Sequence, residues 1–398
     1  MLRTKMKQKT ICLADPSICT GCGACVSVCP KACIQMMQDK EGFLQPQIDI
    51  IACIECHKCE KTCPIINPKP ISTEFKTQAY SAINKNENIR MQSSSGGAFY
   101  ALAKWIIEQD GVVFGARWDE NWEVMHDYAE DLDGVRAFMR SKYVQSKVGV
   151  TYEQAKKFLQ QDRWVLYSGT PCQLAGLNAF LGGDYPKLLQ VDLICHGVPS
   201  PKVWRSYLEC YLKDEKIIDI NMRDKTNGWM SEMFTLKTSS ATQSVGLINN
   251  PYYKGFGHSV YLRLSCYNCH FRTFHRNSDI TLADYWGVDE FNPKMYDNKG
   301  TSIILIHSNK GYTIINLLAE KFILCSEKKE DILYYNRSAN GLNPIPNKWK
   351  RYFRWFRLFS FKGAKHVIDR DTIPTIIIRK CKKIKKRLGI YNKCAKKT

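Results

Sequence analysis

Apolar and polar positions along the middle of the chain change period block by block. Residues 78–83 (QAYSAI) read as a strand and 89–97 (IRMQSSSGG) as a loop. From Ala98 to Glu108 the large apolar side chains fall at Phe99, Leu102, Trp105 and Ile106, the spacing of one helix face, and Gly111 closes the element. A short strand, 112–114, follows. The pattern then repeats: strand 164–167, turn 168–171, helix 173–181 stopped by Gly182 and Gly183, strand 188–194 running into CHGVPSP, and helix 202–212. Strands alternating with helices predict an α/β body. Ahead of it, NPKPISTEFK (67–76) carries two prolines and reads as a linker. Behind it, WKRYFRWFRLFSF (349–361) interleaves aromatic and basic residues. Further on, Ile377, Cys381, Ile384, Leu388 and Tyr391 mark one stripe of an otherwise basic helix.

At 398 residues the length suits two or three domains, and 44% apolar residues suffice for a sizeable core. No run approaches the ~18 uninterrupted apolar residues that span a bilayer. The basic start, 1–10, lacks a following apolar stretch, so a cytoplasmic protein is expected. The net charge of +20 suggests nucleic acid until it is mapped. Residues 348–398 hold 18 Lys and Arg against two acids, which leaves only about +4 for the other residues. No nucleic-acid-binding module is recognisable, and none is expected as a partner. A basic amphipathic tail with neighbouring aromatics suits peripheral contact with the anionic inner face of a membrane, and equally a solvated helix packing its stripe on the body.

Cysteine decides the chemistry of the N-terminus. There are 18 cysteines, many for a reducing compartment, where they serve metal or redox chemistry more often than disulfides. CTGCGACVSVCP (19–30) and CIECHKCEKTCP (53–64) are both C-x2-C-x2-C-x3-C-P, repeated at an offset of 34 residues. Three cysteines two apart wrap three corners of an iron–sulfur cubane, and the fourth leaves for the other cluster. The crossed assignment is Cys19, Cys22, Cys25 and Cys63 on one 4Fe-4S cluster, with Cys53, Cys56, Cys59 and Cys29 on the other. Zinc also accepts C-x2-C pairs, but two identical four-cysteine runs, each closed by Cys-Pro, resemble the dicluster ferredoxin family over roughly residues 10–68. Two C-x2-C-H matches, 53–57 and 266–270, mimic haem attachment. The first lies inside the ferredoxin run, and haem attachment of this type follows export.

Within the body, the Ser/Gly loop before Ala98 offers backbone N–H groups to an anion such as a phosphate, and reads equally as a capped helix start. Cys172 and Cys195 sit at strand ends, where open α/β sheets place ligands. Cys266 and Cys269 form a later C-x2-C. These four suit a third cluster; zinc or unligated thiols are the alternatives. Cys12, Cys33, Cys210, Cys325, Cys381 and Cys394 have no partner pattern and read as structural.

The segments SSSGGAF (93–99), SKYVQS (141–146), SGTPCQLAGL (168–177), VDLICHGVPSPKV (191–203) and SDITLADYWG (278–287) together resemble the beta subunit of coenzyme F-420 hydrogenase and dehydrogenase, over about residues 78–345. The resemblance implies an FAD-binding domain with its own 4Fe-4S cluster on Cys172, Cys195, Cys266 and Cys269. It places Ser94, Ser95, Gly96 and Gly97 near the FAD phosphates, with Lys142 as a nearby cation. Asp279, Asp284 and Trp286 read as loop anchors. The expected architecture is an α+β ferredoxin-like domain (1–68), a linker (69–77), an α/β flavoprotein domain (78–345) and a basic helical tail (346–398). The expected function is that of an oxidoreductase passing electrons between a two-electron donor or substrate, FAD and 4Fe-4S clusters. Its partner would be a redox protein or a hydride donor, deazaflavin or other. The alternative is a non-catalytic electron-relay subunit of a larger redox complex, membrane-docked or serving surface-polysaccharide synthesis. Fold alone does not fix the substrate.

Overall fold

An eight-stranded mixed sheet organises the body. Its strands are β3 (Gln78–Asn84), β4 (Val112–Trp118), β5 (Val124–Ala129), β6 (Val165–Ser168), β7 (Leu188–Leu193), β11 (Ile280–Asp284), β12 (Ser302–Ile306) and β13 (Phe322–Ser326), in the order β13-β3-β12-β11-β7-β6-β4-β5. The computed structural model describes residues 11–212, 215–339, 341 and 344–369. β11, β7, β6 and β4 run parallel, and β12 is antiparallel to both β11 and β3. Hence β3, β6, β7 and β11 all end on the same edge. All five residues of β12, SIILI, are buried, as expected of a strand covered on both faces. Ile304 and Ile306 join one core, while Ile303 and Leu305 join the core on the opposite face.

The N-terminal module is a hairpin, β1 (Ile34–Gln38) against β2 (Leu44–Ile48), with short helices α1 (Ala24–Ser27) and α2 (Lys58–Thr62). A second, three-stranded sheet joins β8 (Ile217–Asp224), β9 (Met233–Thr238) and β10 (Thr242–Gly246) in antiparallel fashion.

Two expectations change. The segment 89–97 is not all loop: α3 (Glu87–Gln92) occupies its start, because the Asn86 side chain caps Ile89 N–H at 3.1 Å. The loop proper is 93–97, leading into α4 (Ala98–Glu108). Five aromatics of 349–361 also face inward, while Trp355 and Phe359 stay exposed. Trp349, Tyr352, Phe353 and Phe356, and Phe361 beyond a kink at Phe359 and Ser360, are buried in the largest core; all lie in the helical segment Lys348–Asp369. That core includes Trp204 and Tyr207 of the helix Pro201–Leu212, and Tyr252 and Phe256. The stripe from Ile377 to Tyr391 lies outside the described residues. Among the described residues, no helix is long and apolar enough to cross a membrane. Phe353 is 1% exposed, so Phe353→Ala is expected to cost about 3 kcal/mol, seen as a lowered melting temperature. A variant that melts like the parent would place this helix outside the core.

Candidate functional site

The cysteines of the N-terminal module sort into two groups. Cys19, Cys22, Cys25 and Cys63 line one small cavity. Cys29, Cys53, Cys56 and Cys59 line another, together with Cys33. The partition is that of the crossed assignment. Cys33 had no partner pattern in the sequence, yet its Sγ lies 3.4 Å from that of Cys29. Among the described residues, no three His, Cys, Asp or Glu side chains gather as ligands of a single metal ion.

A third cavity is walled by Cys172, Cys195, Cys266 and Cys269, with Arg272 and Arg276 beside them. Helix α7 (Pro171–Leu181), which follows α5 (Leu132–Phe138) and α6 (Thr151–Gln160) in the chain, opens on its wall with Pro171 and Cys172. Cys172 sits in the first turn of α7, after Pro171 and a reciprocal cap between Thr170 and Gln173. Its Sγ is 3.2 Å from Thr170 Oγ1. Cys195 follows β7. Cys266 Sγ accepts Val198 N–H at 3.5 Å. Between them, Gly197 holds φ +129, and a Cβ there would meet Leu262 and Cys266. Burial, then the charges of neighbouring cysteines, push Cys195 and Cys266 up to about 12; burial foremost also raises Cys172 and Cys269. Four thiols around one cavity are suited to a cationic iron core, which would offset the charge of their thiolates.

The main cavity, about 840 Å³, opens at the edge where β3, β6, β7 and β11 end. Ser93, Ser94, Ser95 and Gly97 line it, as do Lys142 and the start of α4 at Ala98 and Phe99. Gly97 is in the left-handed region (φ +85), and the first N–H groups of α4 have no intrahelical acceptor. Gly96 does not share in this lining. Its N–H is donated to Ser302 Oγ at 2.9 Å, and it packs against Ala82 and Ser302. The Ser93 and Ser95 hydroxyls donate to Ile89 O (2.8 Å) and Thr301 O (2.9 Å), so they brace the loop. Buried Lys225 adds to the bracing, its Nζ 2.8 Å from Ser95 O and 2.8 Å from Lys299 O. Lys142 Nζ donates to Met139 O at 2.8 Å, and burial, then Arg140, lower it to about 7.

The far wall carries groups that the sequence did not single out: Arg223, Glu232, Tyr253, His196 and Arg272. Arg223 lies over the Trp286 ring at 4.8 Å and pairs with Glu232 at 2.6 Å and Asp284 at 3.5 Å. Asp284 and Trp286 are therefore part of the cavity wall. Asp279 is an anchor, accepting Gln190 N–H at 2.9 Å and the Ser308 hydroxyl at 2.6 Å.

The cavities share walls. Cys195, Gly197, Val198 and Arg272 border both the main cavity and the third cysteine cavity. Thr20 borders the third cavity and the first ferredoxin cavity. Gly176 of α7 lies so close to Cys22 that a Cβ there would come within 3.0 Å of its Cβ and Sγ.

Residues 18–65 match the family model of the 4Fe-4S dicluster domain, and residues 162–331 match that of the C terminus of the coenzyme F420 hydrogenase/dehydrogenase beta subunit. One subunit of the F(420)H(2) dehydrogenase of Methanosarcina mazei is 24% identical over 215 residues, 50% of this chain and 60% of that protein. A 7Fe ferredoxin of Hydrogenibacillus schlegelii is 42% identical over 53 residues, 13% of this chain and 62% of that protein. The chain thus spans about three fifths of the length of these curated relatives. A chain of the F420-reducing [NiFe] hydrogenase complex from Methanosarcina barkeri superposes with a TM-score of 0.44 at 17% identity, over 82% of this chain and 100% of that one.

Proposed function

We propose that this chain, which joins a 4Fe-4S dicluster domain to a C-terminal domain of the coenzyme F420 hydrogenase/dehydrogenase beta type, is an iron–sulfur flavoprotein oxidoreductase. The observation that carries the reading is the run of shared walls, from the main cavity through the third cysteine cavity to the ferredoxin cysteines. In this reading FAD occupies the main cavity, Cys172, Cys195, Cys266 and Cys269 hold a third 4Fe-4S cluster, and the eight ferredoxin cysteines hold two more. Bound flavin supplies exchange between two-electron and one-electron chemistry, which a cluster alone lacks. The protein supplies placement. The main cavity has the volume of a small-molecule site. The start of α4 and Lys142 offer donors to a diphosphate. Arg223, held by Glu232 and Asp284 against Trp286, gives the far wall a fixed set of N–H donors for the polar part of a hydride donor or acceptor. A redox partner protein would meet the ferredoxin module.

Lys142 makes the reading testable by pH. Burial disfavours its charged form, so the free site is half-charged near pH 7, while a diphosphate beside it would restore the charge. FAD binding above pH 7 then takes up a proton, and affinity falls by up to about tenfold per pH unit until Lys142 titrates in the complex. Fluorescence titration of FAD is expected to show this fall, and Lys142→Met to bind more weakly with a flat profile. A parent profile as flat as that of the variant would remove Lys142 from the flavin site.

A further inference from the structure

Asp192 stands on the wall of the main cavity, near the end of β7, and is buried. Its carboxylate pairs with Arg276 at 3.1 Å and accepts the Thr281 hydroxyl. Behind Thr281, further groups continue in single file. Thr281 Oγ1 is 2.9 Å from His307 Nε2, His307 Nδ1 is 2.9 Å from Thr77 Oγ1, and Thr77 Oγ1 is 2.9 Å from His275 Nδ1. Thr281 and His307 are buried, Thr77 is half-buried and His275 is exposed. The file therefore runs from solvent to the cavity. Every member can take and give a proton, and none has a part in holding a cluster.

The carboxylate fixes the sense of the file. Paired with Arg276, it only accepts, so Thr281 donates to it. Thr281 Oγ1 then accepts from His307 Nε2–H, which leaves Nδ1 of His307 as a lone pair. Thr77 donates to that lone pair and in turn accepts Nδ1–H of His275. One arrangement satisfies all four bonds, and in it every donor points inward. It needs a neutral His307. Burial, with the adjacent charges of Arg276 and His275, holds that imidazole down to about 3. Asp192 faces the opposite pull: burial raises it, and Arg276 and Thr281 lower it.

We propose that His275, Thr77, His307, Thr281 and Asp192 form a proton wire between solvent and the main cavity. The wire rests on the reading of that cavity as a flavin site. A flavin that exchanges a hydride on one side and two single electrons on the other gains or loses one proton net per electron pair, because each cluster changes by one electron and takes no proton. In the inward sense, a solvent proton lands on the exposed ring of His275, whose Nδ1 proton passes to Thr77. The Thr77 proton moves to His307 Nδ1, the His307 Nε2 proton to Thr281, and the Thr281 proton to Asp192, which delivers one proton to the cavity. One proton enters, one leaves, and the wire resets when its hydroxyls turn, the His307 ring flips so that its N–H again faces Thr281, and exposed His275 regains its Nδ1 proton by exchange with solvent. Run backwards, the same hops carry a proton out.

The test compares full-length protein carrying its clusters, with FAD added, as parent, Thr77→Val, Thr281→Val and Thr77→Ser. Valine keeps the shape and removes the hydroxyl, and Thr77 is three bonds from the cavity wall. Proton uptake upon reduction by reduced methyl viologen, a one-electron donor that releases no proton, is timed by stopped flow with a pH-indicator dye. Uptake is expected to slow on the order of 10²-fold in both valine variants and to recover in Thr77→Ser. The midpoint potential of the flavin at each pH should stay unchanged, since a wire sets a rate and leaves the equilibrium alone. Parent-like uptake in both valine variants with FAD bound overturns the wire. A second readout needs no flavin: exchange of the His307 ring N–H with deuterated water, followed by nitrogen NMR. If the parent takes up no FAD, the flavin reading fails by itself and this exchange decides. Slowing in Thr77→Val supports the wire, and no change overturns it.

Discussion

Arg263→Ala is expected to destabilise the protein by at least about 3 kcal/mol and to loosen the ferredoxin module from the body. Arg263 is 1% exposed, and its guanidinium reaches from the body into the module. Its Nε donates to Cys19 O at 2.7 Å, and its terminal nitrogens donate to Leu44 O and Gln45 Oε1, each at 2.8 Å. A further bond at 3.3 Å holds Gln145 Oε1 on the body. Hydrogen bonds from a charged donor contribute roughly 1.5–3 kcal/mol each, and alanine would leave these acceptors buried without a partner. Arg263→Lys is expected to recover little, because a compact ammonium cannot reproduce the planar fork. Thermal melting gives the stability, and cleavage of the linker near residues 69–77 by a protease reports the loosening. Cys19 belongs to the cavity that shares Thr20 with the third cysteine cavity. Electron passage between the two should therefore slow even where iron is retained. A variant that melts and resists protease like the parent would show that the clamp does not hold the module.

The double variant Cys172→Ala with Cys266→Ala is expected to lose a whole cluster, about four of about twelve iron atoms. Two ligands of four are removed, and the remaining pair, Cys195 and Cys269, cannot hold a cubane alone. The ferredoxin cysteines line separate cavities and should keep their iron. Iron and sulfide analysis counts the loss. Unchanged iron in a folded variant would leave Cys172, Cys195, Cys266 and Cys269 as unligated thiols.

How much of this the sequence disclosed follows from how local each feature is. The ferredoxin cysteines lie within 48 residues matched by one family model, and their spacing is itself the cluster geometry. The strand and helix units at 78–114 and 164–212 were legible because their periods alternate cleanly, whereas β5, α5 and α6 between them were not read. Cys172, Cys195, Cys266 and Cys269 were legible as candidates, but only the parallel pairing of β7 with β6 and β11 brings their segments to one edge. The helix α3 was hidden by its shortness: it is six residues long and its signal is the Asn86 cap. In 349–361 the basic residues masked an inward stripe at Trp349, Tyr352, Phe353 and Phe356, whose spacing of three, one and three is a helix face. The Ser/Gly loop was read as a set, yet the fold separates Gly96, whose amide serves the sheet, from its neighbours on the cavity wall. The file from His275 to Asp192 could not be read at all, because its members come from the linker end, β7, β11 and the segments beside β11 and β12.

The most direct measurement is iron, sulfide and flavin content on protein purified without oxygen. The account predicts about twelve irons, a matching amount of sulfide and one FAD per chain. About eight irons and no flavin, even after incubation with FAD, would contradict it and leave a ferredoxin-type electron relay in its place.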